Sequence, residues 1–545
     1  MELDLIAERR AAMIAAGFWK DRLLLDELDA LLVRAPQTPA IVAHDVTTGT
    51  TTRLTYAELS EKVDRIALNL ARLGVEQGDV ISYQLPNWWQ FIALHLACLR
   101  IGAITNPIMP ILRRRELEFM LNHAQSKVIV TPGNWRDFDY AAMIAGMRPA
   151  VPQLKHALVV GGDGDNAFER LHDKPIDRWE ADALFAARRP SPDDIVQVLY
   201  TSGTTGEPKG VMHTSNTQIS NLWPFIERLH VTSSDIVFMA SPLAHQTGFM
   251  YGMMMPILLG THVVLQDIWN RKVAADLIDA EKPTFTMAST PFLADLTDEA
   301  EARPAAFKSL RKFLAAGAPI PRVLVRRATE HMGATIASGW GMTENGAVTV
   351  TRPEDPPEKA FETDGCALPG METRIVDAAG LVMPAESEGR LQVRGCSNFV
   401  GYLKRPDLAA FDDEGWFDTG DLARMDAEDY VRITGRSKDI IIRGGENVPV
   451  VEIEGMIYKH PSVADVAIVA MPDQRLGERA CAFVTTKPGT TLTLSDLTTF
   501  LLAQDISKSY LPERLEVVEA LPRTASGKIQ KFQLRELAKS LKPSQ

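Results

Sequence analysis

The chain has only four cysteines in 545 residues, and Cys98, Cys366, Cys396 and Cys481 are far apart. No two have the spacing of a redox or metal-ligand pair, so they read as buried thiols. Positive charge is not in excess either: 58 Lys and Arg stand against 70 Asp and Glu, a formal charge of -12. That argues against a broad basic surface and against nucleic acid as a partner. It leaves small anionic ligands open, because local clusters of Lys, Arg and backbone N–H groups can hold them in an acidic protein. The N-terminal MELDLIAERR has no apolar signal core, so the cytoplasm is the expected location. Long apolar runs are scarce, and one stands out: Thr247 to Leu265 is uncharged over nineteen residues. Pro256 and Gly260 interrupt it, and its THVVL end is β-branched. It is therefore expected to form a buried helix followed by a core strand, with no transmembrane segment.

What is present is a globular composition, 46% apolar and 23% charged, with no low-complexity stretch. The length suggests three or four folding units at about 150 residues each. The first half alternates amphipathic helices (LSEKVDRIALNLARLG) with short apolar runs (DVISYQLPN), the pattern of parallel, helix-covered sheets with ligands at the carboxyl ends of the strands. From about Cys366 the texture changes to short strands and turns, which predicts a β-rich subdomain over about 366–436. A second alternation from Asp439 onward predicts a small C-terminal α/β domain. The fold class is thus α/β, with a large N-terminal domain and a small C-terminal one.

The most specific local signal is YTSGTTGEPKG, Tyr200 to Gly210, which follows the apolar IVQVL. Read as a turn between strand and helix, it can cradle phosphate: Gly203, Gly206 and Gly210 allow close backbone approach. Thr201, Ser202, Thr204 and Thr205 donate hydroxyls, and Lys209 adds a mobile charge. Its order is not that of a Walker loop.

The loop resembles the signature of the adenylate-forming superfamily, which includes acyl-CoA synthetases, adenylation domains of peptide synthetases and firefly-type luciferases. AAGAP (315–319), GWGMTE (339–344), DTGD (418–421), GRSKDIIIRGGENV (435–448) and PRTASGKIQK (522–531) follow in the superfamily's order and span most of the chain. The resemblance implies ATP, Mg²⁺ and coenzyme A as cofactors, and a rotating C-terminal domain over 437–545, hinged at Lys438 against an N-terminal domain over 1–436. It makes Lys528 the catalytic lysine bridging carboxylate and phosphate, with Thr343 beside the α-phosphate. Glu344 becomes the magnesium-associated acid, aided by Thr204. Asp421 would accept the ribose hydroxyls, with Arg436 as its companion, and Trp340 would stack on adenine opposite Gly317, Ala318 and Pro319, next to Gly339. Rotation would withdraw Lys528 and bring Gly444 and Gly445 to the pantetheine tunnel.

Acid choice is expected around Ser241 to Phe249, near Gln266 to Trp269 and at Ala316–Gly317, with His245, Gly248, Phe249, Gly341 and Met342 in the pocket. Acetate-activating relatives carry a bulky Trp where this chain has Gly341, which implies room for more than two carbons. Whole-chain texture is most like cyclohexanecarboxylate-CoA ligases, so a medium-chain, alicyclic or aromatic monocarboxylate is expected. Loading of a carrier-protein thiol would use the same motifs, and a silent nucleotide-binding protein on this fold is the other alternative. The further partners admitted are a lysine acetyltransferase or deacetylase acting on Lys528, and a second copy in a homodimer.

Overall fold

The computed structural model describes residues 2–201, 208–317, 322–409, 411–436, 441–443, 446–473, 477–504, 506, 510–524 and 527–541. Ser202, Gly203, Thr204, Thr205, Gly206, Ala318, Pro319, Lys438, Gly444 and Gly445, all named above, lie outside the described residues.

Local chemistry sets the first elements. The segment TYAE opens the helix Tyr56–Arg72 with a capping box, in which Thr55 Oγ1 accepts the Glu58 N–H at 3.2 Å and Glu58 accepts the Thr55 N–H at 2.8 Å. Leu59, Val63, Ile66 and Leu70 bury one face of it. Helix Trp89–Arg100 is buried all round from Phe91 to Leu99, as its almost uninterrupted apolar sequence requires.

Two large sheets receive these helices. Among the described residues one sheet has nine strands, whose inner six run parallel: Pro39–His44, Val263–Gln266, Val237–Met239, Phe285–Ala288, Lys312–Ala316 and Thr335–Met342. The second has seven, built on the parallel strands Ile104–Pro107, Val80–Tyr83, Val128–Pro132 and His156–Val160 beside Ile195–Thr201. One continuous apolar core joins residues of both sheets to the helices they cover, so the sheets and helices pack as layers. The segment from Thr247 is a buried helix, π-type over Thr247–Met254 and α over Met255–Leu259, followed by the core strand Val263–Gln266, as the sequence predicts. Among the described residues no helix is long and apolar enough to cross a membrane.

Strands Met371–Val376, Gly389–Gly395, Phe417–Met425 and Val431–Arg436 form an antiparallel sheet. Further on, Val463–Asp473 and Gly477–Thr486 form a long hairpin, covered by Val450–Ile457, Leu494–Leu502 and Lys531–Ser540 around their own apolar clusters. All four cysteines are buried and unpaired, and burial raises the thiols of Cys98, Cys396 and Cys481.

One local expectation needs correction. The Tyr200–Gly210 segment does not lead from a strand into a helix: Ile195–Thr201 and Lys209–Thr214 pair antiparallel, with Thr201 opposite Lys209. The run GVMHT is apolar and β-branched enough to make a second strand, and the helix begins only at Ser215, capped by Thr214.

Candidate active site

The carboxyl ends of the nine-stranded sheet open on a cavity of about 1500 Å³, where ligands of open α/β sheets sit. Strand ends supply Ala316, Gly317, Gly339, Trp340, Gly341 and Met342, and the following turn supplies Thr343 and Glu344. Thr201 and Lys209 come from the paired strands of the other sheet, Arg436 from the antiparallel sheet, and Lys528 from the C-terminal segment. Residues more than 300 positions apart in sequence thus line one space. Among the described residues, seven lining residues are cationic (Arg113, Arg115, Lys209, Arg436, Arg523, Lys528 and Arg535) against four acidic ones (Glu116, Glu344, Asp418 and Glu536). This local excess of positive charge in an acidic chain suits a polyanion such as a nucleotide triphosphate.

The turn carrying Lys528 docks on the start of helix Thr290–Ala302, just past the end of strand Phe285–Ala288. Gly527 has φ +83°, and a Cβ there would stand 2.9 Å from Ser289 Oγ. The Lys528 N–H donates to Thr524 Oγ1 at 3.0 Å, which holds the turn closed. Lys528 is near enough to His245 to act on it: burial first, and the lysine's charge second, lower the imidazole to about 4. His245 is therefore neutral at physiological pH, and its Nδ1 accepts the Thr247 N–H at 3.3 Å.

Glu344 is buried, and burial raises its carboxyl, opposed by the Tyr402 hydrogen bond and then by Lys209 and Arg436. Tyr402 Oη donates to Glu344 Oε1 at 2.7 Å. Behind it, His213 Nε2 lies 2.7 Å from the Thr343 carbonyl and steadies the turn. Among the described residues no group of three or more His, Cys, Asp or Glu could hold a metal ion. One buried carboxylate with an oxygen uncommitted to Tyr402 nonetheless fits Mg²⁺, which takes one or two carboxylates and fills its shell with substrate phosphates and water.

Asp421 and Arg436 face each other in register on adjacent strands, with Arg436 Nε 2.9 Å from Asp421 Oδ1. Trp340 Nε1 donates to Asp421 Oδ2 at 3.0 Å. Asp421 is 2% exposed and does not itself line the cavity, while its neighbour Gly420 and its partners Trp340 and Arg436 do.

Two pocket expectations fail on geometry. Gly248 and Phe249 turn away from the cavity: a Cβ on Gly248 would meet the Pro242 carbonyl oxygen at 2.2 Å, so this glycine lets the helix touch the preceding turn. Phe249 packs edge-on against His95 at 4.7 Å in the core. In their place Gln246, Thr247 and Tyr251 line the wall. Gly341 does line it, yet its Cβ direction ends 1.9 Å from the Gly346 carbonyl oxygen. A glycine stands there because two backbones touch at an irregularity in the pairing of Thr335–Met342 with Gly346–Val350, and its presence is no measure of pocket depth. Sequence reasoning also missed Tyr402, which carries no phosphate-loop or charge signature, and the wall from Met109 to Met120, although the run Arg113, Arg114, Arg115 within it is a local cluster of positive charge.

Comparison with known proteins agrees with this geometry. The family profile "AMP-binding enzyme" matches residues 29–403, and "AMP-binding enzyme C-terminal domain" matches residues 452–528. The chain is 37% identical to the medium-chain fatty-acid–CoA ligase of Escherichia coli, over 97% of this chain and 92% of that one. It is 34% identical to a Streptomyces salicylyl-CoA synthase/salicylate adenylyltransferase, over 96% and 95%. The ATP-bound structure of MatB from Rhodopseudomonas palustris superposes with a TM-score of 0.82 at 26% identity, covering 94% of this chain and 99% of that one. The chain belongs to the AMP-binding enzyme family and is an AMP-forming acyl-CoA synthetase, using ATP and coenzyme A.

Proposed function

We propose that the enzyme activates a medium-chain, alicyclic or aromatic monocarboxylic acid. The observation that carries this reading is the acyl end of the cavity, where Met287, Leu314, Ala347 and Tyr251 surround a space whose one imidazole, His245, is neutral. Burial of an apolar acyl group there gains about 25 cal/mol per Å², whereas a second carboxylate or an ammonium group would be desolvated among these four side chains, none of them charged. The names of the two relatives, one for medium-chain fatty acids and one for salicylate, favour the same class.

In this reading a carboxylate oxygen attacks the α-phosphorus of ATP, pyrophosphate leaves, and the acyl-adenylate forms. The CoA thiol then attacks the acyl carbonyl and AMP departs. Lys528 offsets the charge of the two converging anions, Thr343 donates to the α-phosphate, and Glu344 with Thr204 holds Mg²⁺, which neutralises the triphosphate. Thr201 to Gly206 and Lys209 cradle the phosphates, and Gly317, Ala318, Pro319 and Gly339 with Trp340 frame adenine. Asp421 and Arg436 hold the ribose. Between the half-reactions the domain over 437–545 rotates about Lys438 and exchanges Lys528 for Gly444 and Gly445.

Assaying CoA-thioester formation over acids from acetate to dodecanoate, with benzoate, salicylate, cyclohexanecarboxylate and succinate, tests this. The expected optimum is an apolar acid of six or more carbons. An optimum at acetate or succinate contradicts it, and pyrophosphate release with no thioester from any of them favours a carrier-protein thiol as acceptor.

A further inference from the structure

The short strand Gly401–Tyr402 is the edge of the seven-stranded sheet and pairs antiparallel with Lys209–Thr214, with Tyr402 opposite Val211. The segment around it fastens two parts of the active site to each other. The Leu403 N–H donates to the Gly210 carbonyl at 2.8 Å and the Val400 N–H to that of Met212 at 3.1 Å, which anchors the strand leaving the phosphate loop. The Phe399 N–H donates to the Glu344 carbonyl at 2.7 Å, which anchors the turn of the acidic residue. The Tyr402 side chain repeats this bridging within the cavity. Its hydroxyl donates to Glu344 Oε1 at 2.7 Å, and the Lys209 ammonium lies over its ring, 4.7 Å from the centroid. One phenol thus touches both the buried carboxylate and the lysine of the phosphate loop.

A carboxylate held at Oε1 by a neutral donor has the orientation of its plane fixed, and with it the direction of its second oxygen, Oε2. Tyr402 is itself buried, so little water competes for the bond. We propose that Tyr402 is a positioning residue for the metal-bound nucleotide: its hydroxyl turns Glu344 so that Oε2 meets the cation, and its ring carries Lys209 to the same phosphates. The inference rests on Glu344 as the magnesium-associated acid. Partners that orient a metal ligand in this way are commonly worth 10- to 100-fold in metal affinity.

Mn²⁺ tests this as a spectroscopic stand-in for Mg²⁺, with binding followed by its electron paramagnetic resonance signal in the presence of ATP and the full-length protein. Tyr402→Phe keeps the ring beneath Lys209 and removes only the donor. It is expected to weaken Mn²⁺ binding in the ATP complex by about tenfold or more, while ATP binding in EDTA stays within twofold of the parent. Tyr402→Leu removes the ring as well and should weaken ATP binding even in EDTA. Glu344→Gln serves as the reference. A Tyr402→Phe protein that binds Mn²⁺ like the parent, while Glu344→Gln does not, overturns the inference and spares the role of Glu344. Parental Mn²⁺ binding in both variants overturns the role of Glu344 and the inference with it. Equal loss of ATP binding with and without metal in Tyr402→Phe also overturns it, because the residue would then only hold the fold.

Discussion

Replacing Asp421 by asparagine or alanine separates its part in the fold from its part in nucleotide binding. Its carboxylate is 2% exposed and takes the Trp340 indole N–H at 3.0 Å and the Arg436 guanidinium at 2.9 Å. Asparagine has the same shape and leaves one carbonyl oxygen to accept from Trp340. A ribose hydroxyl on a carboxylate contributes about 1.5–3 kcal/mol, and on a neutral amide about 0.5–1.5. The difference of about 1 kcal/mol or slightly more means a five- to tenfold weaker ATP complex for Asp421→Asn. Alanine removes the whole contact, about ten- to a hundredfold, and leaves the Trp340 N–H without its acceptor. That adds about 1–3 kcal/mol of instability, whereas Arg436, 37% exposed, can regain water. The assay is ATP titration of acid-dependent pyrophosphate exchange, run beside thermal melts. Parental ATP affinity in both variants, with stability lost only in the alanine protein, would make Asp421 a brace for Trp340 and Arg436 and nothing more.

Gly341→Ala places a Cβ 1.9 Å from the Gly346 carbonyl oxygen, so it should destabilise by at least the 1–3 kcal/mol typical of overpacking. Activity should fall alike for short and long acids; a selective shift towards acetate in a well-folded Gly341→Trp would restore the pocket-floor reading. His95 is buried and lowered to about 3 by desolvation, against about 6.5 when unfolded. Between those values the unfolded chain binds the extra proton, so stability is full above pH 6.5 and is lost as pH falls, by up to about 1.4 kcal/mol per pH unit. His95→Leu should therefore lose less stability than the parent between pH 6.5 and 4, and identical pH dependence in the two proteins would refute a neutral buried His95.

The motifs that were legible are those whose chemistry is local. A Gly- and Thr-rich loop with one Lys, a Thr–Glu pair and a TGD turn declare themselves by residue type, and the sheet alternation could be read from periodicity. What could not be read depends on contacts across the fold. Tyr402 meets Glu344 over 58 positions because its strand pairs with Lys209–Thr214 while the Phe399 N–H holds the Glu344 carbonyl, and Arg113 and Arg115 reach the cavity because a helix start faces it. Gly248 and Phe249 follow His245 closely in sequence, yet the π-helix from Thr247 turns both into the core. Gly341 misled for a different reason: an absent side chain looks the same in sequence whether it leaves space or lets two backbones touch.

In the proposed reaction, adenylation and thioester formation share one site in which Lys528 serves only the first step, through the charge that it brings to the cavity beside His245. The most direct measurement is Lys528→Ala assayed in the two half-reactions separately, pyrophosphate release from ATP with the acid, and thioester formation from pre-made acyl-adenylate with CoA. Loss of one preorganised donor predicts a fall of roughly 10²-fold or more in the first and little change in the second. Equal loss in both, or no loss in the first, contradicts the account.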